Sequence, residues 1–202
     1  MGKIMLFMVA GLLLIGCGPK KPNLPEVGVP PKPLVQKGFS FTPLAETGWY
    51  IIGQVPYRVA LARQGKSTDE THAIQGMVFN FKNFDSDEDF IRAVKAGQAQ
   101  DTDITDPDRF KVTTHDTVLR PHKGERCAFS HIVTEDHGAV KRSATDGFMI
   151  LEIYALVCRH PENRSAAVSV DYSQRYYAQN RNSDIESKAI SLIDSVSFEP
   201  LH

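Results

Sequence analysis

The chain has 202 residues and a formal net charge of -1, with 42% hydrophobic and 23% charged residues. That near-neutral balance gives no electrostatic case for binding nucleic acid or a polybasic membrane surface, and the apolar share suffices for one domain with a buried core. Three cysteines are an odd number, which in a secreted protein asks for an explanation.

The first residues read as a secretory signal. Lys3 supplies the positive charge, and Ile4 to Ile15 is an uncharged apolar run of about 12 residues, where a spanning helix needs ~20. The run ends in Leu14-Ile15-Gly16-Cys17, which resembles the lipobox of bacterial lipoproteins. A thiolate is the nucleophile that takes up a diacylglycerol group, and the small residue before it lets the peptide bond enter a peptidase. The resemblance implies that residues 1–16 are removed and that Cys17 carries lipid, tethering the protein to a membrane of the bacterial envelope. An aspartate after the cysteine favours inner-membrane retention in such lipoproteins of Gram-negative bacteria. Gly18 stands there instead, which implies the outer membrane with the domain facing the periplasm. Lipid on Cys17 also accounts for the odd cysteine, leaving Cys127 and Cys158 as a pair in an oxidising compartment.

Residues 17–37 are rich in proline, reading GPKKPNLPEVGVPPKPL from Gly18 to Leu34. Such a segment favours extended polyproline II and reads as a spacer ahead of a domain at 38–202. The alternative is a ligand for a proline-binding module at Pro30-Pro31-Lys32-Pro33. Lys20-Lys21 with Lys32 is a weak basic cluster.

Strands are expected at Trp49–Ile52, Tyr57–Arg63 and Ala73–Lys82 from period-2 patterning. A helix follows. Ser86 and Asp89 make a capping box, Asp87 and Glu88 suit the positive end, Phe90, Ile91 and Val94 form the buried stripe, and Gly97 reads as the stop. Asp101 to Asp108 reads as a solvated loop. It has the carboxylates of a calcium loop, but Asp106 stands where an EF-hand needs glycine and Val112 where it needs glutamate. Four strands come next, at Phe110–Leu119, Arg126–Thr134, Phe148–Cys158 and Ala166–Ser173. A second helix is expected from Ser183, capped through Glu186, with Ile185, Ala189, Leu192, Ile193 and Val196 at helical spacing. Phe198 closes the domain.

The fold class is therefore α+β, an antiparallel sheet of about six to seven strands packed with two helices. The order of elements resembles the PsbP/Mog1-like fold, an antiparallel sheet flanked by helices. That resemblance implies nothing about activity, because such folds host unrelated roles. Phe148–Cys158 is apolar on both faces apart from Glu152, as a strand covered on both sides requires. A turn near Arg142 sets Cys127 across from position 157 or 158, within reach of a disulfide with Cys158.

Five of seven histidines (His115, His122, His131, His137, His160) fall in one region without ligand spacing. No metal site and no cofactor is expected. His122, His137 and His160 adjoin turn residues and read as solvated. His131 lies opposite Tyr154 in the register above, with Glu152 on the same face. This trio either does acid–base work or is an internally satisfied polar network. Tyr172, Arg175, Tyr176 and Tyr177 gather where a loop is expected between the last strand and helix. They form either a partner patch or a staple holding the helix on the sheet. With no nucleophile motif present, the expected role is a non-enzymatic envelope lipoprotein that binds another envelope component. The alternative is a small hydrolase or metal-dependent enzyme built on His131, Tyr154 and Glu152.

Overall fold

A computed structural model describes residues 24–105 and 108–202. The signal segment and Cys17 lie outside the described residues. Ten strands and two helices follow in the order β1 (Leu34–Gln36), β2 (Phe39–Phe41), β3 (Tyr50–Val55), β4 (Arg58–Gln64), β5 (Thr71–Asn80), α1 (Asp87–Thr105), β6 (Phe110–His122), β7 (Glu125–Asp136), β8 (Met149–Arg159), β9 (Ala166–Tyr176), α2 (Ile185–Asp194) and β10 (Ser197–Phe198). Strands β3-β4-β5-β9-β8-β7-β6 form one seven-stranded sheet, and β1-β2-β10 form a small one. All pairings are antiparallel. This is the α+β class read from the sequence. Among the described residues no helix is long and apolar enough to cross a membrane.

Both faces of the large sheet carry a layer. On one face, Leu61, Ile74, Tyr154, Leu156, Val170 and Tyr172 pack against Ile185, Ala189, Leu192 and Ile193 of α2 and against Phe39 and Phe41 of the small sheet. Gly76 makes that last contact possible, because a Cβ there would sit 2.4 Å from Phe39 Cε2. On the other face, Phe90 and Val94 of α1 pack on Phe81, Ala128, Val157 and Ala167. Each large side chain so buried contributes about 1.5–3 kcal/mol. Strand β8 lies between β7 and β9 with α2 on one side and α1 near the other, so both of its faces are apolar.

The hairpin between β6 and β7 turns on Lys123 (φ 48°) and Gly124 (φ 84°), the paired positive φ values of a type I′ turn, whose twist matches the strands. Register places Cys127 opposite Cys158. Their sulfurs are bonded, with Cα atoms 4.3 Å apart.

Three expectations change. The capping box forms at α1, where Ser86 Oγ accepts from Asp89 N at 3.1 Å and donates to Asp89 Oδ2 at 2.9 Å. The helix nevertheless runs through Gly97 to Thr105. Gly97 keeps an ordinary helical backbone instead of the left-handed one that ends a helix. Residues 101–105, read as loop, belong to this helix, and the end of that stretch lies partly outside the described residues. Helix α2 begins at Ile185 without a side-chain cap. The Asp184 carboxylate pairs instead with Lys188 Nζ at 2.9 Å.

The third change concerns the spacer. Val27 N donates to Trp49 O at 2.8 Å and Ile51 N to Pro25 O at 2.9 Å, so Glu26 bridges to Tyr50. Val27 is buried in the core, and Leu34–Gln36 is a strand. From Pro25 onward the proline-rich segment is part of the domain.

Candidate functional site

The register that builds the core also collects the polar groups. Asp116, His131, Tyr154 and Tyr172 lie in one row across β6, β7, β8 and β9, with Glu152 two residues before Tyr154 on the same face. His131 stacks on Tyr154 with ring centroids 4.3 Å apart and an interplanar angle of 11°. Glu152 is 1% exposed. Its Oε1 accepts from Arg181 Nη2 at 2.7 Å, His131 Nε2 at 3.0 Å and Tyr154 Oη at 3.2 Å. Its Oε2 accepts from Tyr176 Oη at 2.5 Å and Arg181 Nε at 2.9 Å.

Burial pushes the Glu152 carboxyl up, but hydrogen bonds from Arg181, Tyr176 and His131 outweigh it and hold the group at about 2. The carboxylate is therefore ionised at neutral pH, and His131 must carry its proton on Nε2 to donate to it. Burial, together with the Glu152 charge, pushes the Tyr154 and Tyr176 phenols well above their ordinary value, so both stay protonated. Five donors fill a group with about four lone-pair sites. No acceptor is left over to take a substrate proton. Among the described residues no three His, Cys, Asp or Glu side chains are grouped to hold a metal ion.

The structure thus brings His131, Tyr154 and Glu152 together and adds Tyr176 and Arg181. Arg181 comes from the loop before α2 and left no periodic signal in the sequence. Tyr176, which the sequence leaves as either a partner patch or a staple, is buried and bonded to Glu152.

That patch is corrected. Tyr172, Arg175 and Tyr176 lie in β9 and not in a loop, and Tyr172, Tyr176 and Tyr177 are buried. Each hydroxyl has an internal partner. Tyr172 Oη lies 2.9 Å from His72 Nδ1, and burial followed by the charges of Arg63 and Lys188 pushes His72 down to about 4. Tyr177 Oη donates to Asp69 Oδ2 at 2.6 Å. Arg175 Nε lies 2.9 Å from Asp136 Oδ2, and Arg109 Nε donates to Oδ1 of the same carboxylate at 2.8 Å. Asp69 also accepts from Arg142 N at 2.5 Å, Ser143 N at 3.0 Å and the Ser143 hydroxyl. Hydrogen bonds from the Ser143 and Tyr177 hydroxyls hold its carboxyl well below the usual range. These groups staple loops to the sheet.

Two of the histidines read as solvated are also structural. His122 Nε2 donates to Val196 O at 2.9 Å, and His160 Nε2 donates to Gly38 O at 3.1 Å and Glu199 O at 3.0 Å. Both are buried and hold the C-terminal segment on the domain. His137 is exposed.

A further acid lies on the opposite face of the sheet. Asp171 lies at the centre of the face that carries α1, between Ala155 of β8 and Gln75 of β5. Burial pushes its carboxyl up to about 7, against a hydrogen bond from the Gln75 backbone.

No protein-family model matches the chain, and no curated protein matches it. Among solved structures, the chain is similar to the solution structure of cyanobacterial PsbP (CyanoP) from Synechocystis sp. PCC 6803. The identity is 13% and the TM-score 0.52, over 92% of this chain and 99% of that one. The seven-stranded antiparallel sheet with a helix on each face is a PsbP-like fold.

Proposed function

We propose that this chain is a bacterial lipoprotein, lipidated on Cys17 and anchored in the envelope, whose domain faces the periplasm from the outer membrane. The domain acts by binding another envelope component and performs no chemistry of its own. The lipobox-like Leu14-Ile15-Gly16-Cys17 supports the anchor, and the PsbP-like fold is compatible with an interaction domain. The observation that carries the non-enzymatic reading is the closed shell around Glu152. A general base needs an open lone pair facing substrate, and all of this carboxylate's capacity is taken by Arg181, His131, Tyr154 and Tyr176.

The test is affinity capture of the full-length protein from membranes after crosslinking, with mass spectrometry of bait and partners. The expected bait begins at Cys17 with diacylglycerol on its sulfur. The same partner is recovered by wild type and by His131→Gln. A mature chain without lipid on Cys17 overturns the anchoring. A substrate turned over by wild type and not by His131→Gln overturns the binding role.

A further inference from the structure

Resting on the reading that Cys17 carries lipid, we infer that the β1–β3 end of the domain lies directly on the lipid surface. The observation is where the folded chain begins. Pro25 and Val27 are hydrogen-bonded to β3 at Ile51 and Trp49, so the chain leaves the domain at the β3 edge. The eight Cα–Cα steps from Cys17 to Pro25 span at most ~26–29 Å in any conformation. The large sheet runs from β3 to β6 across seven strands, which places the opposite edge ~29 Å away at ~4.8 Å per strand gap. Bringing the β6 edge to the bilayer would require the tether at full extension, so every shorter conformation favours the β3 edge.

That end is also the one dressed for lipid. Val29, Val35, Ile52, Val55 and Tyr57 are large apolar side chains left exposed there. Lys37 N donates to Pro56 O at 2.8 Å, which sets Val35 and Lys37 of the β1 segment beside the turn that follows Val55. Strand β3 has no charged residue between Tyr50 and Val55, where a free sheet edge is ordinarily blunted by one. Lys32 and Lys37 are exposed at this end, and Lys20 and Lys21 precede it in the tether. Of the nearby acids, Glu199 is partly buried and accepts from Ser40 Oγ at 2.6 Å, while the exposed Glu26 accepts from Gly48 N at 3.3 Å. Apolar side chains ringed by lysines match an anionic interface, and a second weak contact adds to a single lipid anchor.

The test uses the full lipidated protein in vesicles of phosphatidylethanolamine and phosphatidylglycerol with brominated acyl chains, which quench tryptophan on contact. Native Trp49 is fully buried and gives a constant background. Val35→Trp and Val55→Trp report the β1–β3 end, and Val118→Trp reports β6. The expected result is at least twofold quenching of the added tryptophan in either of the first two and none in the third. Vesicle-bound protein with no quenching at Val35 and Val55, or with equal quenching at Val118, overturns the docking and leaves the anchor standing. Protein that lacks lipid on Cys17 and fails to float with vesicles overturns both.

Discussion

Replacing Glu152 with glutamine removes one charge from the sheet interior and keeps the volume. The wild-type carboxyl sits at about 2 against an ordinary 4.5, and at ~1.36 kcal/mol per decade the ionised form is favoured on folding by ~3 kcal/mol. Glutamine cannot accept from all five donors, because half of its terminus is itself a donor. Arg181 is about half exposed and regains water, with a side-chain exposure of 47%, whereas Tyr154 and Tyr176 are buried and keep unmet hydroxyls. The expected loss is therefore ~3 kcal/mol at pH 7, read by urea unfolding with the disulfide intact. The pH dependence gives an independent check. A carboxyl whose folded value is depressed contributes stability above its unfolded value, and that stability is lost as pH falls. Wild type should weaken between pH 4.5 and 2, and Glu152→Gln should lack that component. A variant within 0.5 kcal/mol of wild type at pH 7, or one with an unchanged acid limb, refutes the reasoning.

Asp171 has the opposite sign. Its folded value of about 7 exceeds the ordinary 3.8, so its neutral form is favoured on folding and the associated stability is present below pH 3.8 and lost as pH rises to 7. Asp171→Asn should be more stable than wild type at pH 8, by at most ~4 kcal/mol, with the gap closing in urea titrations below pH 4. Reduction of Cys127–Cys158, which closes a loop of sequence separation 31, should cost ~3–4 kcal/mol by the chain-entropy relation, measured by unfolding with and without reductant. Gly76→Ala would place a methyl against the Phe39 and Phe41 rings and should cost ~1–3 kcal/mol through overpacking. A thermal melt unchanged from wild type would show that the small sheet is not seated there.

Most of the sheet was legible because antiparallel strands with short connections leave strong local marks. The alternation in Arg126–Thr134 and the doubly apolar run at Phe148–Cys158 fixed which residues face each other. From that register alone His131, Tyr154 and Glu152 fall on one face. What the pattern could not show is how many groups converge on the carboxylate. Arg181 arrives from a loop, and its approach depends on the path between β9 and α2, which no periodicity encodes. The tyrosines misled for a related reason. Tyr172, Tyr176 and Tyr177 have the composition of a binding patch, and composition cannot distinguish a hydroxyl facing water from one facing Glu152, His72 or Asp69 inside. A tyrosine suits both, since its ring can be buried while its hydroxyl keeps one hydrogen bond.

The proline-rich segment was misread because its two possible states share one backbone. Polyproline II and a β-strand differ by a modest change in φ, and both are extended. Proline bars only donation, so a proline can lie beside a sheet edge and accept, as Pro25 does from Ile51. Whether such a segment floats or docks depends on a few apolar residues finding a pocket. Val27 enters the core beside Trp49, and Leu34 packs against it. Those contacts shorten the stretch between Cys17 and the docked chain from some twenty residues to eight. If Cys17 carries lipid as proposed, the anchor would hold the β3 edge toward the bilayer, and the exposed apolar residues of that edge would then have a physical reason to be there.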